Sequence, residues 1–549
     1  MITGLLRTID WGTAQDDLTV TVYFAPAGVG RDGFTSEGFN FYERGQFADV
    51  FELISNVCNL DFVVTNDPDA DFQLVLDTNE VRWLPEDEQF LGYFYPPGQL
   101  DAGIGVFNGD FWDRQAGGDL RKGGAGFATI LHEVLHGLGL AHPHDRGGIS
   151  SRMEGVTRPF DDLGDHDLNQ GIFTAMSYNG GHQSGRLPPF HGRWGYEATP
   201  MAIDIALLQE KYGARANVQT GNNTYVLPAE NKGGTMWRAI WDTGGTDTLR
   251  HDGTTDAVID LRAATLQEGP GGGGYASFAH GVAGGFTIAA GVVIENAKSG
   301  GGADWLRGNG ADNWLDSGYG DDTLIGAAGD DRLLAGGGRD LLAGGGGADT
   351  LEGGGGADTL EGGNGADTLD GGGGDDRLDG EDGTDVLRGR AGDDLLAGQA
   401  RVDALFGGRG NDRLLGGGGN DSIAGGAGDD RILGGRGADR MAGEGGADTF
   451  AWRDTGDSRI GQEDVIVDFD SGLDLLDLSQ IDADTGRAGN QAFVFIDTAA
   501  FSGTAGEVRA VRDMAFNVRI EADTDGDSLA DFAVDLVGPT VVLDIDLLL

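Results

Sequence analysis

The sequence has few cysteines and few basic residues. Its 549 residues include one cysteine, Cys58, so no intramolecular disulfide can form. Stability must come from packing or from bound metal. Lys and Arg number 37 against 90 Asp and Glu, which gives a formal net charge of -53. Because phosphate binding requires basic patches, this charge argues against nucleic acid as a partner. It fits either disorder or carboxylates that await cations.

Long apolar segments are also absent. No apolar run is long enough to span a membrane, so we expect no stable membrane insertion. Residues 1–17 lack the basic region and the long apolar stretch of a conventional signal peptide. These absences alone would assign the protein to the cytosol, and the motifs described below oppose that assignment.

Three histidines between residues 132 and 142 have the spacing of metal ligands. His132 and His136 are four residues apart, which places both imidazoles on one face of a predicted helix. Gly139 can end that helix in a left-handed conformation, so that a loop presents His142. Three imidazoles with an open fourth position are typical of catalytic zinc, and Glu133 beside them could deprotonate water. The alternative is a helix with surface histidines, which this five-residue pattern disfavours.

This stretch resembles the metzincin zinc proteases, whose signature is HExxHxxGxxH followed by a methionine turn. The segment from Thr174 to Tyr178 supplies a candidate turn. The resemblance implies that Met176 lies beneath the metal as an apolar floor and that Tyr178 stabilises an oxyanion. From the residues alone, Met176 would be core and Tyr178 a packed aromatic. The other histidines of the region add nothing to the spacing and are interpreted as surface or core residues: His144, His166, His182 and His191.

Hydrophobic patterning before and after the histidines predicts an α/β layer with the histidine-bearing helix packed below a sheet. We expect strands at 18–24, 60–65, 72–76 and 103–108, and helices at 41–57 and 200–213. The last helix resembles the one that ends the catalytic domain of serralysins, which narrows the resemblance to that family. By resemblance, the strand at 103–108 lies at the upper edge of the cleft, where an extended peptide could pair with it.

An aspartate recurs every nine residues from Asp322 to Asp448, and a large apolar residue follows two positions after each. The pattern is the GGxGxDxLx nonapeptide of RTX proteins. Two nonapeptides form one coil of a parallel β-roll, so we expect an 18-residue structural repeat. The aspartates and the turn carbonyls supply the oxygens that calcium prefers. The alternative, a disordered acidic linker, is expected for the calcium-free state.

Within the repeat, a central segment departs from the consensus. Glu381, Arg390, Gln399 and Arg401 replace turn glycines. A side chain forced to positive φ costs roughly 1 kcal/mol or more. We therefore expect poor or missing calcium sites between Glu381 and Asp403. The candidate ligands inside and ahead of the repeat are Asp242, Asp247, Asp322, Asp331, Asp340, Asp349, Asp358, Asp367, Asp376, Asp412, Asp421, Asp430, Asp439 and Asp448.

The segments that flank the repeat also resemble serralysins. Residues 240–249 and 288–296 resemble the segment that leads into the family's calcium-binding domain, although Arg250 and His251 depart from the family pattern. Residues 464–479 resemble the segment that follows its repeats. The final residues, 546–549, resemble its uncleaved type I secretion signal, although on their own they could be an ordinary strand end.

The expected architecture is an α+β multidomain chain. A metzincin-like protease domain occupies 1–215. A short pro-segment over 1–15 is an open alternative for the start of this domain. A β-rich linker over 216–300 precedes an RTX β-roll over 301–455 and a β cap over 456–549. We expect a secreted, monomeric, calcium-dependent endopeptidase with one catalytic Zn²⁺ and several structural Ca²⁺. Its partners would be protein or peptide substrates and the type I secretion machinery.

The sequence is also compatible with two other functions. The first is a calcium-dependent adhesin or surface-layer protein with a vestigial zinc domain, because the repeats alone favour neither interpretation. The second is a zinc hydrolase that acts on something other than peptides. The presence of Glu133 and Tyr178 beside a full set of three histidines favours the protease.

Overall fold

The computed structural model describes residues 4–77, 91–110, 112–146, 149–179, 194–512, 517–538 and 541–549. The chain forms two compact units, Met1–Ser299 and Gly300–Leu549. It is mostly β, and the described residues include four α-helices. None of these helices is both long enough and apolar enough to cross a membrane.

The helices all lie in the first unit. The longest, α2, begins with a capping box in which the side chain of Asn40 accepts from the Glu43 amide and the Glu43 carboxylate accepts from the Asn40 amide. Its buried face includes Phe47 and Ile54. The helices are α1 (Gly4–Arg7), α2 (Phe41–Val57), α3 (Ala125–Gly137) and α4 (Ala202–Tyr212).

A five-stranded sheet packs with these helices in the order β4-β1-β5-β7-β6. Its first four strands are parallel, and β6 pairs antiparallel with β7. A small hairpin, β2 (Gly30–Arg31) with β3 (Phe34–Thr35), lies outside it. The sheet strands are β1 (Thr19–Phe24), β4 (Asp61–Thr65), β5 (Phe72–Asp77), β6 (Gly92–Phe94) and β7 (Ile104–Asn108).

The elements predicted for this region are present, with ends that differ by two residues at most. One expectation about them is wrong. The strand predicted at 103–108 does not lie at the sheet edge, because β6 covers it. With three residues, β6 is too short to give an alternating pattern in the sequence. It packs closely on the helix with the histidines: a Cβ added to Gly137 would lie 2.6 Å from the Phe94 ring.

The remainder of the first unit consists of short strands. Strand β10 pairs in parallel with β8 and β14, while β9 pairs in parallel with β13. Strand β12 pairs antiparallel with both β11 and β13. These strands are β8 (Thr224–Val226), β9 (Trp237–Ile240), β10 (Thr248–Arg250), β11 (Ala257–Asp260), β12 (Ser277–Ala279), β13 (Gly285–Ile288) and β14 (Asn296–Lys298).

The repeat in the second unit folds into two parallel sheets, one of even-numbered and one of odd-numbered strands. Leu333 pairs with Leu351, and Leu342 with Leu360, so the pairing register is 18 residues as predicted. The apolar residue two positions after each aspartate is buried. The strands are β15 (Trp305–Arg307), β16 (Trp314–Tyr319), β17 (Thr323–Ala328), β18 (Arg332–Gly337), β19 (Leu341–Gly346), β20 (Thr350–Gly355), β21 (Thr359–Gly365), β22 (Thr368–Gly373), β23 (Arg377–Gly383), β24 (Val386–Ala391), β25 (Leu395–Ala400), β26 (Ala404–Arg409), β27 (Arg413–Gly418), β28 (Ser422–Ala427), β29 (Arg431–Arg436), β30 (Arg440–Gly445) and β31 (Thr449–Ala451).

The last segment of the second unit extends both sheets. Strands β35, β36 and β37 are antiparallel, β37 pairs with β32, and β38 pairs with β33. Asp546 is buried and accepts hydrogen bonds from Ser471 and Gly472, so this part of the expected secretion signal is built into the fold. The strands are β32 (Asp464–Ile466), β33 (Leu475–Asp477), β34 (Val494–Phe495), β35 (Glu507–Arg512), β36 (Val518–Asp523), β37 (Phe532–Leu536) and β38 (Leu547–Leu548).

Candidate metal centres

Three imidazoles converge beside helix α3. His132 and His136 project from the helix, and Gly139, with φ +87°, turns the chain so that His142 returns to meet them. The Nε2 atom of His142 lies 3.0 Å from Nε2 of His132 and 3.0 Å from Nε2 of His136. The structure therefore brings the three predicted zinc ligands together through the same ring nitrogen.

The opposite nitrogen of each ring faces an oxygen. Nδ1 of His132 lies 2.7 Å from the Ala175 carbonyl, and Nδ1 of His136 lies 2.9 Å from the Leu140 carbonyl. Nδ1 of His142 lies 2.6 Å from Oδ2 of Asp145. Because these oxygens accept hydrogen bonds from Nδ1–H, each Nε2 keeps its lone pair, which is the tautomer that binds metal.

Burial also favours the neutral form of the three histidines. It lowers the pKa of His132 to about 4 and the pKa of His142 to about 2. The pKa of His136 also falls well below its ordinary value, mainly through burial. Metal binding requires unprotonated imidazole, so at neutral pH this donor set fits a zinc ion.

Glu133 lies next to these ligands, and no ionic partner contacts it in the part of the chain that the structure describes. Burial raises the pKa of its carboxyl to about 8. Its Oε2 atom is buried and, within the described part of the chain, accepts no hydrogen bond. Strand β6 passes beside it, since a Cβ added to Gly92 would lie 3.1 Å from Cγ of Glu133. A buried carboxylate without a partner at a sheet edge is suited to proton transfer.

The candidate methionine turn is held by a residue that the sequence analysis missed. Met176 is fully buried, as a floor residue should be. The Asp204 carboxylate, in the first turn of α4, accepts from the Thr174 hydroxyl at 2.6 Å and from the Ala175 amide at 2.7 Å. An acidic residue inside the apolar pattern Ile203-Asp204-Ile205 was the available signal, because such a position is buried.

Tyr178 lies over the histidine cluster. Its ring centroid is 5.6 Å from that of His132 and 4.6 Å from that of His142, and the residue is 40% exposed. His144, interpreted above as an ordinary surface or core residue, stacks on His142 at 4.9 Å and is 5.0 Å from Tyr178. Sequence spacing misses it because the contact is made by ring stacking.

The remaining histidines of the region separate into two groups. His166 pairs with Glu154 at 3.5 Å. His182 and His191 lie outside the described residues.

The candidate calcium site ahead of the repeat also contains a carboxylate oxygen without a partner. Asp242 accepts from the Tyr225 hydroxyl at 2.6 Å, and Oδ1 of Asp247 accepts from the Asn223 amide at 2.7 Å. Oδ2 of Asp247 is buried and accepts nothing within the described ranges. Burial raises the pKa of this carboxyl, and the nearby Asp242 and Glu295 raise it further. A cation would relieve both effects.

The repeat aspartates form two ladders of carboxylates. Oδ1 of each accepts the backbone N–H of the residue one coil earlier, as between Asp331 and Asp349 at 2.8 Å. The second oxygen, Oδ2, is buried without a hydrogen bond among the described residues in Asp331, Asp340, Asp349, Asp358, Asp367, Asp376, Asp385, Asp394, Asp403, Asp412, Asp421, Asp430 and Asp439.

These carboxyls resist ionisation in the absence of a cation. Burial raises the pKa of Asp331, Asp340 and Asp421 to about 7, and neighbouring aspartates add to the effect. Rows of buried carboxylate oxygens beside turn carbonyls suit calcium, which takes oxygen ligands. Asp385, Asp394 and Asp403, left out of the predicted ligands, have the same geometry.

The central segment keeps the roll register but has left-handed residues at its turns. φ is +65° at Glu381, +80° at Arg390, +73° at Gln399 and +85° at Arg401. The strands on either side keep the 18-residue register, although Glu381 and Gln399 are not paired with each other as the equivalent residues of neighbouring coils are. The residues that replace glycine therefore fit the roll at the cost of local backbone strain. The weakness of calcium sites there stays a prediction.

Comparisons with known proteins agree with the C-terminal part of this description. Residues 361–549 match the family described as Peptidase M10 serralysin C terminal. Residues 299–333, 325–360 and 334–369 match the RTX calcium-binding nonapeptide repeat.

Curated relatives show the same similarity. Serralysin C of Dickeya chrysanthemi is 34% identical over 227 residues, which are 39% of this chain and 42% of the relative. Serralysin of Proteus mirabilis is 33% identical over 197 residues, or 34% and 36% of the two chains. Metallopeptidase AprA of Pseudomonas marginalis is 32% identical over 194 residues, or 34% and 37%. The chain thus spans about two fifths of the length of the relatives it matches. These matches confirm the resemblance predicted from the sequence: over 34–39% of its length the chain is similar to serralysins and AprA.

Proposed function

We propose that this protein is a secreted, calcium-dependent zinc endopeptidase that cleaves extracellular proteins. One observation carries the proposal: three imidazole Nε2 atoms converge beside the buried carboxylate of Glu133, whose Oε2 accepts no hydrogen bond among the described residues. The names of the relatives, serralysin and metallopeptidase, support the same chemistry. We assign the catalytic role to a metzincin-like domain over 1–215 and the calcium-binding role to the β-roll that follows the linker.

His132, His136 and His142 would hold the zinc ion. When bound, zinc acts as a Lewis acid that polarises a carbonyl and makes water nucleophilic at neutral pH. Asp145 and the carbonyls of Ala175 and Leu140 keep the imidazoles in the metal-binding tautomer.

Glu133 acts as general base and then as general acid. It accepts the proton of the water that attacks the peptide carbonyl and returns this proton to the leaving amine. A cation in the histidine cluster favours the charged form of the carboxyl and lowers the pKa that burial has raised. Tyr178, which is partly exposed above His132 and His142, donates a hydrogen bond from its hydroxyl to the developing oxyanion.

The substrate main chain pairs with the edge of the five-stranded sheet. Because β6 is the edge strand among the described residues, we assign to it the role that the sequence analysis gave to the strand at 103–108. Strand β6 also places Gly92 next to Glu133, so a peptide aligned on this edge passes the general base.

Calcium couples export to folding in this proposal. Extracellular sites of this kind have dissociation constants of about 0.1–1 mM. At cytosolic calcium concentrations the stacked aspartates repel one another, and the roll stays unfolded and can pass the type I secretion machinery. Outside the cell, calcium binds the folded roll only and shifts the equilibrium toward it.

The test is casein hydrolysis by the full chain with zinc and millimolar calcium. Glu133→Gln keeps the shape of the side chain and removes the base, so we expect the rate to fall by at least about a hundredfold. Glu154→Gln, a change at a carboxylate that pairs with His166, should leave the rate unchanged. Wild-type protein that binds zinc and calcium but cleaves neither casein nor gelatin would contradict the proposal.

The folding part of the proposal has its own readout. Circular dichroism in calcium chelator should show a largely unfolded roll, and calcium should restore the β signal. A roll that is fully folded in chelator would refute the export model and leave the protease assignment intact.

A further inference from the structure

We propose that the β-roll carries a binding groove for a small amphiphile with an anionic head, a function beyond proteolysis. The groove lies over strands β27, β29 and β31 and has a volume of about 360 Å³. Small-molecule sites typically measure roughly 300–1,000 Å³. None of its lining residues is a candidate metal ligand.

The floor of the groove is apolar, whereas two earlier coils of the same sheet carry acidic residues at the same position. Leu415 and Leu433 are paired on adjacent strands and half-buried, and Ala451 on the next strand is buried. Two and three coils before Leu415, the same position of the same sheet holds Asp379 and Glu361. The outer face thus changes from acidic to apolar where the groove lies.

The rim of the groove is basic in a strongly acidic protein. Arg413 and Arg431 are paired on adjacent strands, whose backbones lie about 4.8 Å apart. Arg453 also lines the groove. Arg431 donates to the buried Asp477 at 2.9 Å. Within the described part of the chain, no carboxylate pairs with Arg413 or Arg453.

A comparison within the roll shows why Arg413 lacks a partner. Arg377 occupies the same position two coils earlier and contacts Asp379, two residues along its own strand, at 3.3 Å. In the strand of Arg413 that second residue is Leu415. The leucine that builds the apolar floor therefore also leaves the guanidinium without its counter-ion.

The chemistry of the groove defines its ligand. A guanidinium binds carboxylate or phosphate through two parallel hydrogen bonds. Leu415, Leu433 and Ala451 offer an apolar surface beside it, from which a hydrocarbon tail would displace water. The ligand class is thus an acyl or aryl carboxylate, or the corresponding phosphate monoester.

Isothermal titration of the calcium-loaded full chain with 4-phenylbutyrate tests this proposal. Acetate serves as a head-only probe and 4-phenylbutanamide as a neutral tail probe, and both should bind much more weakly. Arg413→Gln should weaken phenylbutyrate binding by about tenfold, because a hydrogen bond to a charged group is lost. Leu433→Ala should weaken phenylbutyrate binding and leave acetate binding unchanged.

Arg377→Gln is the matched control, because it removes the same charge from the same strand position outside the groove. It should bind phenylbutyrate as the wild type does. Equal weakening by Arg377→Gln and Arg413→Gln would mean unspecific attraction and would overturn the proposal. A wild type that does not bind phenylbutyrate, or binds acetate as tightly, would overturn it as well. Both arginines are exposed, so circular dichroism in calcium should show unchanged folds.

Discussion

The Asp204 carboxylate accepts a hydrogen bond from the backbone amide of Ala175 at 2.7 Å, and the carbonyl oxygen of Ala175 lies 2.7 Å from Nδ1 of His132. A carboxylate in helix α4 is thereby connected to an imidazole of the candidate zinc site in helix α3 through one residue of the candidate methionine turn. The carboxylate also accepts from the Met201 amide at 2.9 Å, which fixes the start of α4. Asp204 is a positioning residue for the candidate zinc site.

Replacing Asp204 by Asn is expected to remove a pH-dependent part of the stability. Burial raises the pKa of Asp204 to about 6, above the value of about 3.9 in an unfolded chain. Because the folded state holds this proton more tightly, the group favours folding at low pH and loses that contribution as pH rises through about 6. The full difference of about two pKa units is reached only below about pH 4, and between pH 5 and pH 7.5 the contribution falls by about 1.4 kcal/mol.

Urea unfolding of wild type and Asp204→Asn in saturating calcium, from about pH 5 to pH 7.5, measures this effect. The stability of the wild type relative to the variant should decrease over that range. Other titrating groups are common to both proteins and cancel in the difference. Parallel pH profiles would show that Asp204 does not titrate as its burial implies.

Removing the carboxylate behind His142 should weaken zinc binding. Asp145 lies 2.6 Å from Nδ1 of His142, so Asp145→Ala leaves that ring free to rotate and to change tautomer. Losses of such outer partners typically cost about 10–100-fold in metal affinity. Competition with a chromophoric chelator gives the affinity, and Glu154→Gln serves as the control. Unchanged affinity in Asp145→Ala would mean that the loop alone fixes the imidazole.

Two glycines of one turn should differ in their tolerance of a methyl group. A Cβ on Gly344 would lie 2.4 Å from Oδ2 of Asp349 and 2.7 Å from the Gly362 carbonyl oxygen, whereas a Cβ on Gly346 would meet nothing within 4 Å. Gly344→Ala should therefore displace the carboxylate and raise the calcium concentration needed for folding. Gly346→Ala should fold at the calcium concentration of the wild type. Calcium titrations followed by circular dichroism compare the two, and equal midpoints would exclude Asp349 as a ligand.

Residue spacing along the sequence predicted the register of the roll and the helix face that two histidines share. The nine-residue period brings each aspartate to the same turn, so the 18-residue register follows from Leu333 and Leu351 being equivalent. The four-residue separation of His132 and His136 fixes their shared helix face in the same way. The expected ends of helices and strands were close because apolar periodicity and caps define them.

Contacts between distant segments were not predictable. Asp204 is 29 residues from Ala175, and nothing in either segment indicates that they meet. Strand β6 gives no periodic signal, yet it displaces β7 from the sheet edge. The groove on the roll depends on which residues share an outer face, and this follows from pairing across strands: Leu415 and Leu433 are 18 residues apart.

The central turns of the roll provide the last prediction. Gln399 and Arg401 lie in the turn before Asp403 with φ +73° and +85°, where the repeat consensus has glycine. A left-handed conformation costs a residue with a side chain roughly 1–2 kcal/mol, so this turn should close poorly around a cation. The double variant Gln399→Gly, Arg401→Gly restores the GGxGxD pattern. It should fold at lower calcium concentration than the wild type and gain an anomalous-diffraction peak for calcium beside Asp403. Because Gln399 is uncharged and its side chain donates exposed hydrogen bonds to Asp379, its replacement removes little else. A wild-type crystal with full calcium occupancy at Asp403 would show that the roll tolerates these side chains and that left-handed strain does not limit the site.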